Sequence, residues 1–398
     1  MKLFTFLLII LPVFSGCAWL SLGDKSEKAK PKELQSIQTE IDVRKIWSRS
    51  IGKGTKDKAI RLVPALSDDR VFAVSANGNI AALRTSDGRE IWRARVEDFY
   101  SDEDIRNAFS DEVDIVTGGV GVGSDLLAMG TAAGEILALN KSDGTIAWRS
   151  RTTSELLAPP QIDRDIVVVH TIDGKVAAYD TGNGDRKWLY STTIPSLTLR
   201  GTATPIITND FVVAGFSSGR FALIDRTRGL AGLERMAGVA QGRSDLERLV
   251  DIDGNMILIG NHLFLIGYQG SLIAYNTTNG IMEWNRDASS VVGLGSGFGN
   301  IYVAYSDSRL AAVDVDDGKD VWETDALLHR SITTPVAAGS YIVVGDFKGY
   351  LHVIAQSDGR FVGRENIGGG GIYSPAVTDG NRVYIMDNSG TLSLFELR

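Results

Sequence analysis

The sequence predicts an all-β protein, an eight-bladed β-propeller of four-stranded antiparallel blades whose ring is closed by an N-terminal strand. Three observations carry this expectation. A unit with a period of about 40–55 residues recurs eight times, which is in the range of propeller blades. Each copy alternates β-branched and aromatic residues and is broken by Gly or Asn-Gly turns, the pattern of hairpins rather than helices. The last copy lacks its fourth strand, and an equivalent segment stands at the other end of the chain.

Taken in order, the chain starts with "MKLFTFLLIILPVFSGCAW". Lys2 precedes an apolar run from Leu3 to Phe14, which is too short to span a bilayer and reads as a signal h-region. Ser15-Gly16-Cys17 resembles the processing box of bacterial lipoproteins, which makes residues 1–16 a signal peptide and Cys17 the lipidated N-terminus. Phe14 departs from that box, where a smaller aliphatic residue is usual. Ala18 follows the cysteine; in such lipoproteins Asp there marks inner-membrane retention, so the resemblance implies the periplasmic side of the outer membrane. Several acyl chains on one residue anchor a protein stably. Residues 17–40, with "GDKSEKAKPKELQ", read as a polar, flexible tether. Cys17 is the single cysteine, so an internal disulfide is excluded.

The propeller is expected over 41–398. "IDVRKIWSRSIG" (41–52) resembles "GREIWRARV" of the first copy and supplies the strand that the eighth lacks, which ends at Arg398. Closure of this kind covers sheet edges. The copies are anchored by turns such as "SDGREIW", "SDGTIAW", "GNGDRKW", "TNGIMEW" and "DDGKDVW". The glycine suits a C–D hairpin turn that requires φ > 0. The tryptophan falls in strand D, the outermost, where it can wedge against the neighbouring blade and bury on the order of 150–250 Å². Trp47, Trp92, Trp148, Trp188, Trp284 and Trp322 hold this position. Leu233 and Gly363 replace it in blades four and seven, where looser junctions are expected. Short first strands open with a small residue and proline ("APPQI", "ATPII", "TTPVA", "YSPAV"), which suits convergence on an axis.

With 44 glycines, 9 prolines, 43% hydrophobic residues and a mean hydropathy of +0.00, the composition is that of a globular, turn-rich protein with ample core. A net charge of −8 argues against nucleic acid, which needs a concentrated basic face.

No motif makes a convincing catalytic, cofactor or metal site. "GFSSG" (215–219) matches the nucleophile elbow, but Ser217 falls in a B–C hairpin rather than a strand–turn–helix. "GLGSGFG" (293–299) imitates a phosphate loop but sits at an A–B turn with no helix after it. His170, His262, His329 and His352 lie in different blades without ligand spacing. "ALNKSDGTIAW" is similar to the tryptophan-docking motif of quinoprotein dehydrogenases, propellers that bind pyrroloquinoline quinone. Those enzymes hold a calcium ion with axial carboxylate and amide groups, and no such acidic cluster is found in the A strands here. A quinoprotein enzyme and a generic glycan- or peptidoglycan-binding propeller remain as alternatives. The second predicts aromatic residues near the axis.

In a four-stranded antiparallel blade the D–A and B–C connections share one face. The long insertions are D–A connections, at 97–114 and at roughly 234–250, so a binding face is expected there. The stretch 97–114 carries eight acidic residues and one arginine, and reads as a solvated loop. "TTIPSLTLRGTATP", between blades three and four, places Leu197 and Leu199 beside Arg200, residue types that suit an interface anchor or a cap over the core. In "RLVDIDG", Asp251 and Asp253 are spaced by two and so face one side of an extended strand. They suit either charge complementarity to a basic partner or fastening of a neighbouring loop.

Signal, anchor, tether and an eight-bladed propeller without a cofactor site resemble, in combination, the BamB family, propeller lipoproteins of the outer-membrane β-barrel assembly machinery. The resemblance runs from the lipoprotein box through all eight blades. "SLTLRG" and "RLVDID" look like its partner-binding segments. It implies a non-enzymatic scaffold in which Leu197, Leu199, Arg200, Asp251 and Asp253 contact the periplasmic repeat domains of the central barrel-forming subunit, with unfolded outer-membrane clients as further partners, taken up by β-augmentation along exposed strand edges.

Overall fold

Among the described residues thirty-two strands form eight separate four-stranded antiparallel sheets, and no strand there is shared between sheets. The computed structural model describes residues 29–55, 60–100, 115–237 and 249–398. The signal (1–16), Cys17 and the first half of the expected tether (17–28), most of the acidic stretch 97–114 and the centre of the 234–250 insertion lie outside the described residues. Blades one to seven occupy 65–95, 116–151, 161–191, 206–236, 257–288, 294–324 and 336–366. Blade eight takes its inner three strands from 377–397 and its outer strand from Val43–Ser50, which pairs antiparallel with Thr391–Leu397. The ring is an eight-bladed propeller closed by its N-terminal strand, as the truncated last repeat predicts. Among the described residues the only helical element is a 3-10 turn, Val96–Phe99.

The core is divided in the same way as the sheets. Eight buried apolar clusters each bridge two successive blades, and one of them (Trp47, Val71, Leu83, Tyr384, Leu394) joins blade eight to blade one. A blade buries its faces only against its neighbours, so closure of the ring completes the last two faces.

The tryptophans explain how neighbours are held. In strand D the residue just before the tryptophan position is skipped by the ladder: Ala82 pairs with Trp92 and Leu83 with Glu90, so Ile91 is bulged. The same bulge occurs in all eight blades. A bulge adds local twist and re-aims the next side chain, here towards the following blade. There the indole N–H donates to a carbonyl at the C–D turn: Trp47 to Thr85 (2.9 Å), Trp148 to Thr181 (2.8 Å), Trp188 to Arg226 (2.7 Å), Trp284 to Val315 (3.0 Å) and Trp322 to Gln356 (3.0 Å).

Two expectations change. The blade-seven junction at Gly363 is filled rather than open. A methyl group at Gly363 would lie 3.1 Å from both Ile41 and Val43, so the missing side chain leaves room for the incoming N-terminal segment. The polar stretch before Ile41 is also not free to residue 40. Residues 32–40 lie against blades six and seven, with the Lys32 N–H bonded to the Leu328 carbonyl and Glu40 paired to Arg360. Polar composition suggested solvation, but these side chains meet opposite charges on the propeller wall.

Candidate functional site

The connection from blade three to blade four, 192–205, crosses the face that carries the D–A and B–C connections. It has no strand of its own and is held by its surroundings. The Leu199 N–H donates to the Asp251 carboxylate. Arg200 Nη2 meets Glu155 Oε1 at 2.7 Å. His170 Nδ1 donates to the Ala203 carbonyl at 3.2 Å. Between these ties Leu197 is 44% exposed, Leu199 is half-buried and Arg200 is exposed.

Asp251 has no exposed surface, and Asp253 lies beside it. A methyl group at Gly201 would come 2.7 Å from Asp253 Oδ2, so the carboxylate fills the space that the glycine leaves. Both acids therefore lie beneath the loop, touching its alternate residues 199 and 201. Of the two roles open to them from sequence, direct charge complementarity is ruled out for Asp251 by its burial. The geometry is that of a fastening.

The electrostatics follow from that burial. Loss of water pushes the Asp251 carboxyl up to about 6, opposed by the Leu199 N–H. Asp253 is pushed up to about 7, first by burial and then by the Asp251 charge, opposed by Arg61. Arg61 is itself pushed down by burial and donates to the Val291 carbonyl at 2.9 Å. Arg61 and Asp253 stand in the wall of a 240 Å³ cavity near the axis, with Thr202, Asn255 and Thr334. A 690 Å³ cavity adjoins it, lined by threonine, proline, asparagine and aliphatic side chains such as Ile162, Ile206, Ile257 and Val336.

The six tryptophans, from Trp47 to Trp322, all stand at blade junctions, away from this loop. Ser217 lies in the B–C turn between strands Phe211–Gly215 and Arg220–Asp225, and Gly293–Gly299 runs through strand A and its turn in blade six. His170 is buried in blade three, while His352 is buried in blade seven on Asp346. Glu155, Gly201 and Arg61 belong to the loop's support and were not singled out from the sequence, and His170, weighed there only as a metal ligand, belongs to it too. They come from blades one and three and from the loop itself, and no local motif joins them.

The fold and site together define a class: an eight-bladed propeller fastened by tryptophans, with a braced, partly apolar loop on one face. The family model described as "Outer membrane protein assembly factor BamB" matches residues 39–108, 105–324 and 298–398. The chain belongs to this family. It is 36% identical over 383 residues to the outer membrane protein assembly factor BamB of Pseudomonas aeruginosa, covering 96% of each chain. The crystal structure of BamB from Moraxella catarrhalis superposes with a TM-score of 0.78 at 26% identity, covering 89% of this chain and 100% of that one. The quinohemoprotein alcohol dehydrogenase of Comamonas testosteroni superposes at 0.68 with 14% identity, over 89% of this chain and 76% of that one, a likeness of fold alone.

Proposed function

We propose that the chain is a non-enzymatic scaffold subunit of the outer-membrane protein assembly complex, held by lipid on Cys17 at the periplasmic side of the outer membrane. It binds the periplasmic domains of the central barrel-forming subunit and so aids folding and insertion of β-barrel proteins. The observation that carries this reading is the braced loop: Leu197 stands out of a segment whose backbone is tied by Asp251 and whose flank is tied by the Arg200–Glu155 pair. A loop ordered before binding loses less entropy on association. An apolar anchor beside an arginine is the residue mix that dominates interface energetics. In this reading Leu197 and the exposed part of Leu199 enter the partner, Arg200 pairs at the rim, and Asp251 and Asp253 act from beneath by holding the loop's shape.

The test is detergent extraction of the native protein followed by mass spectrometry of what co-purifies, with Leu197→Asp and Leu199→Asp alongside. Recovery of a large outer-membrane barrel protein with wild type and its loss with Leu197→Asp supports the reading. Its retention by both variants places the docking face elsewhere, and its absence from wild type overturns the assembly role. Acylation is read separately, by the mass of the N-terminal peptide in wild type and Cys17→Ser.

A further inference from the structure

We infer that blade seven carries a dedicated clamp for the chain's own N-terminal segment, in which Arg330 and Arg364 bind the carbonyls of Lys32 and Gln35 and so fix the point where the polypeptide leaves the propeller. The clamp is a continuous chain of contacts. Arg330 Nη1 donates to the Lys32 carbonyl at 3.1 Å, and its Nε donates to Asp346 Oδ2 at 2.7 Å. The same Asp346 oxygen is 3.1 Å from His352 Nε2. Arg364 Nε donates to His352 Nδ1 at 3.1 Å, and Arg364 Nη1 donates to the Gln35 carbonyl at 2.8 Å.

The proton positions follow from the donors. Arginine can only donate, so Nδ1 of His352 accepts, and the ring proton sits on Nε2 facing Asp346. The imidazole is thus neutral, in keeping with burial holding its pKa below the ordinary value. Asp346 and His352 have no exposed surface and Arg330 is 3% exposed. Buried charge of this kind is costly unless every group is satisfied. Here the N-terminal segment supplies an acceptor to one N–H of each guanidinium, at the Lys32 and Gln35 carbonyls, while Arg330 Nη2 meets only the Asp346 charge, at 2.6 Å.

Three further contacts line the path. Lys32 Nζ meets Asp325 at 2.7 Å, Leu34 packs on the seam between blades six and seven, and Glu40 pairs bidentately with Arg360 at 2.9 and 3.0 Å. From there Ile41 and Val43 enter the space beside Gly363 and strand D of blade eight begins.

The consequence rests on the lipid-anchored reading. Only residues 18–31 then separate Cys17 from the clamp, a reach of about 50 Å when fully extended. The clamp lies at the connection between blades six and seven, on the same face as the connection between blades three and four that carries Leu197.

Limited trypsin digestion of the purified full chain tests the clamp directly, because the carbonyl that Arg330 holds is the scissile one of the Lys32–Glu33 bond. Cleavage after Lys32, followed by N-terminal sequencing, should be at least tenfold faster in Arg364→Met and in Arg330→Met than in wild type, with the urea midpoint of the propeller unchanged in Arg364→Met. Should Arg330→Met fail to fold, Arg364→Met at the half-buried end still decides. Equal cleavage in wild type and Arg364→Met overturns the clamp. The assay reads only the propeller and its own leader, so that result leaves the partner-docking reading untouched, and loss of the partner in the extraction assay leaves the clamp untouched.

Discussion

The indole of Trp92, in blade one, covers Gly144 in the C–D turn of blade two, and its Nε1–H donates to the Lys141 carbonyl of that turn at 3.1 Å. A methyl group on Gly144 would come 2.5 Å from Trp92 Cε3. Glycine and tryptophan of the repeated motif are therefore not partners of one another. Each of the six tryptophans covers the turn glycine of the next blade, whereas Gly280, which follows Leu233, receives none. The motif recurs because at six junctions of the ring one blade supplies the tryptophan and the next supplies the glycine.

Gly144→Ala should accordingly destabilise the propeller by about 2–4 kcal/mol, from overpacking against the indole and from a residue with φ near +75°. Gly280→Ala meets a similar φ, +73°, but only the Tyr275 hydroxyl at 3.4 Å, and should cost about 1 kcal/mol. Urea titrations of both variants check this; equal losses would mean that the tryptophan contact is energetically idle.

The seam between blades four and five has Leu233 where the fastener stands, and Phe221 packs edge-on against Tyr275 with 5.1 Å between ring centroids. Leu233→Trp should seat an indole over the open face of Gly280 and raise stability by about 1 kcal/mol. A lowered urea midpoint would show that Phe221 and Tyr275 already fill the seat.

Gly201→Ala should weaken recovery of the barrel subunit by about tenfold, although residue 201 has no side chain to lose. The added methyl displaces the Asp253 carboxylate and shifts the backbone that bears Leu197. Unchanged recovery would separate the loop's shape from its binding role.

Asp251 and Asp253 titrate near 6 and 7 in the folded protein and near 4 when unfolded. The folded state therefore holds protons more tightly, and the stability these groups contribute is lost as pH rises from about 4 through 7. Asp253→Asn should leave stability at pH 3 nearly unchanged and gain on the order of 2 kcal/mol or more at pH 8. Thermal melts across this range decide; a variant that loses stability at pH 8 would mean that the attraction of the nearby Arg61 charge outweighs burial.

His170 gives the opposite slope. Burial pushes its pKa down to about 4, so the unfolded state binds the proton first and stability falls as pH drops from about 6.5 towards 4. His170→Gln should flatten that limb, measured by the same melts, and a limb of unchanged steepness would place its origin in other groups.

The ring was legible in the sequence because a blade is a local object. Alternation, turn glycines and the Gly-x-x-x-Trp spacing repeat within single hairpins, and the missing eighth outer strand announced itself by its resemblance to "GREIW". The loop residues Leu197 to Arg200 were legible as an unusual exposed mixture. Asp251 was not legible as buried, since a carboxylate's depth depends on what covers it, here a loop from another blade. The bulge before each tryptophan, the reason for Gly363 and the support from Glu155 and His170 were equally hidden, because they express contacts between blades.

By itself the sequence determined the number of blades, their strands, the closing segment and which residues fasten the units, since these depend on short-range periodicity and steric need. Only the tertiary structure decided which glycine each tryptophan covers, that Asp251 braces Leu199 from below, and that Arg330 and Arg364 hold the leader at Lys32 and Gln35. Those pairings join residues distant along the chain, and their energies come from burial and charge compensation, which exist only once the ring has closed.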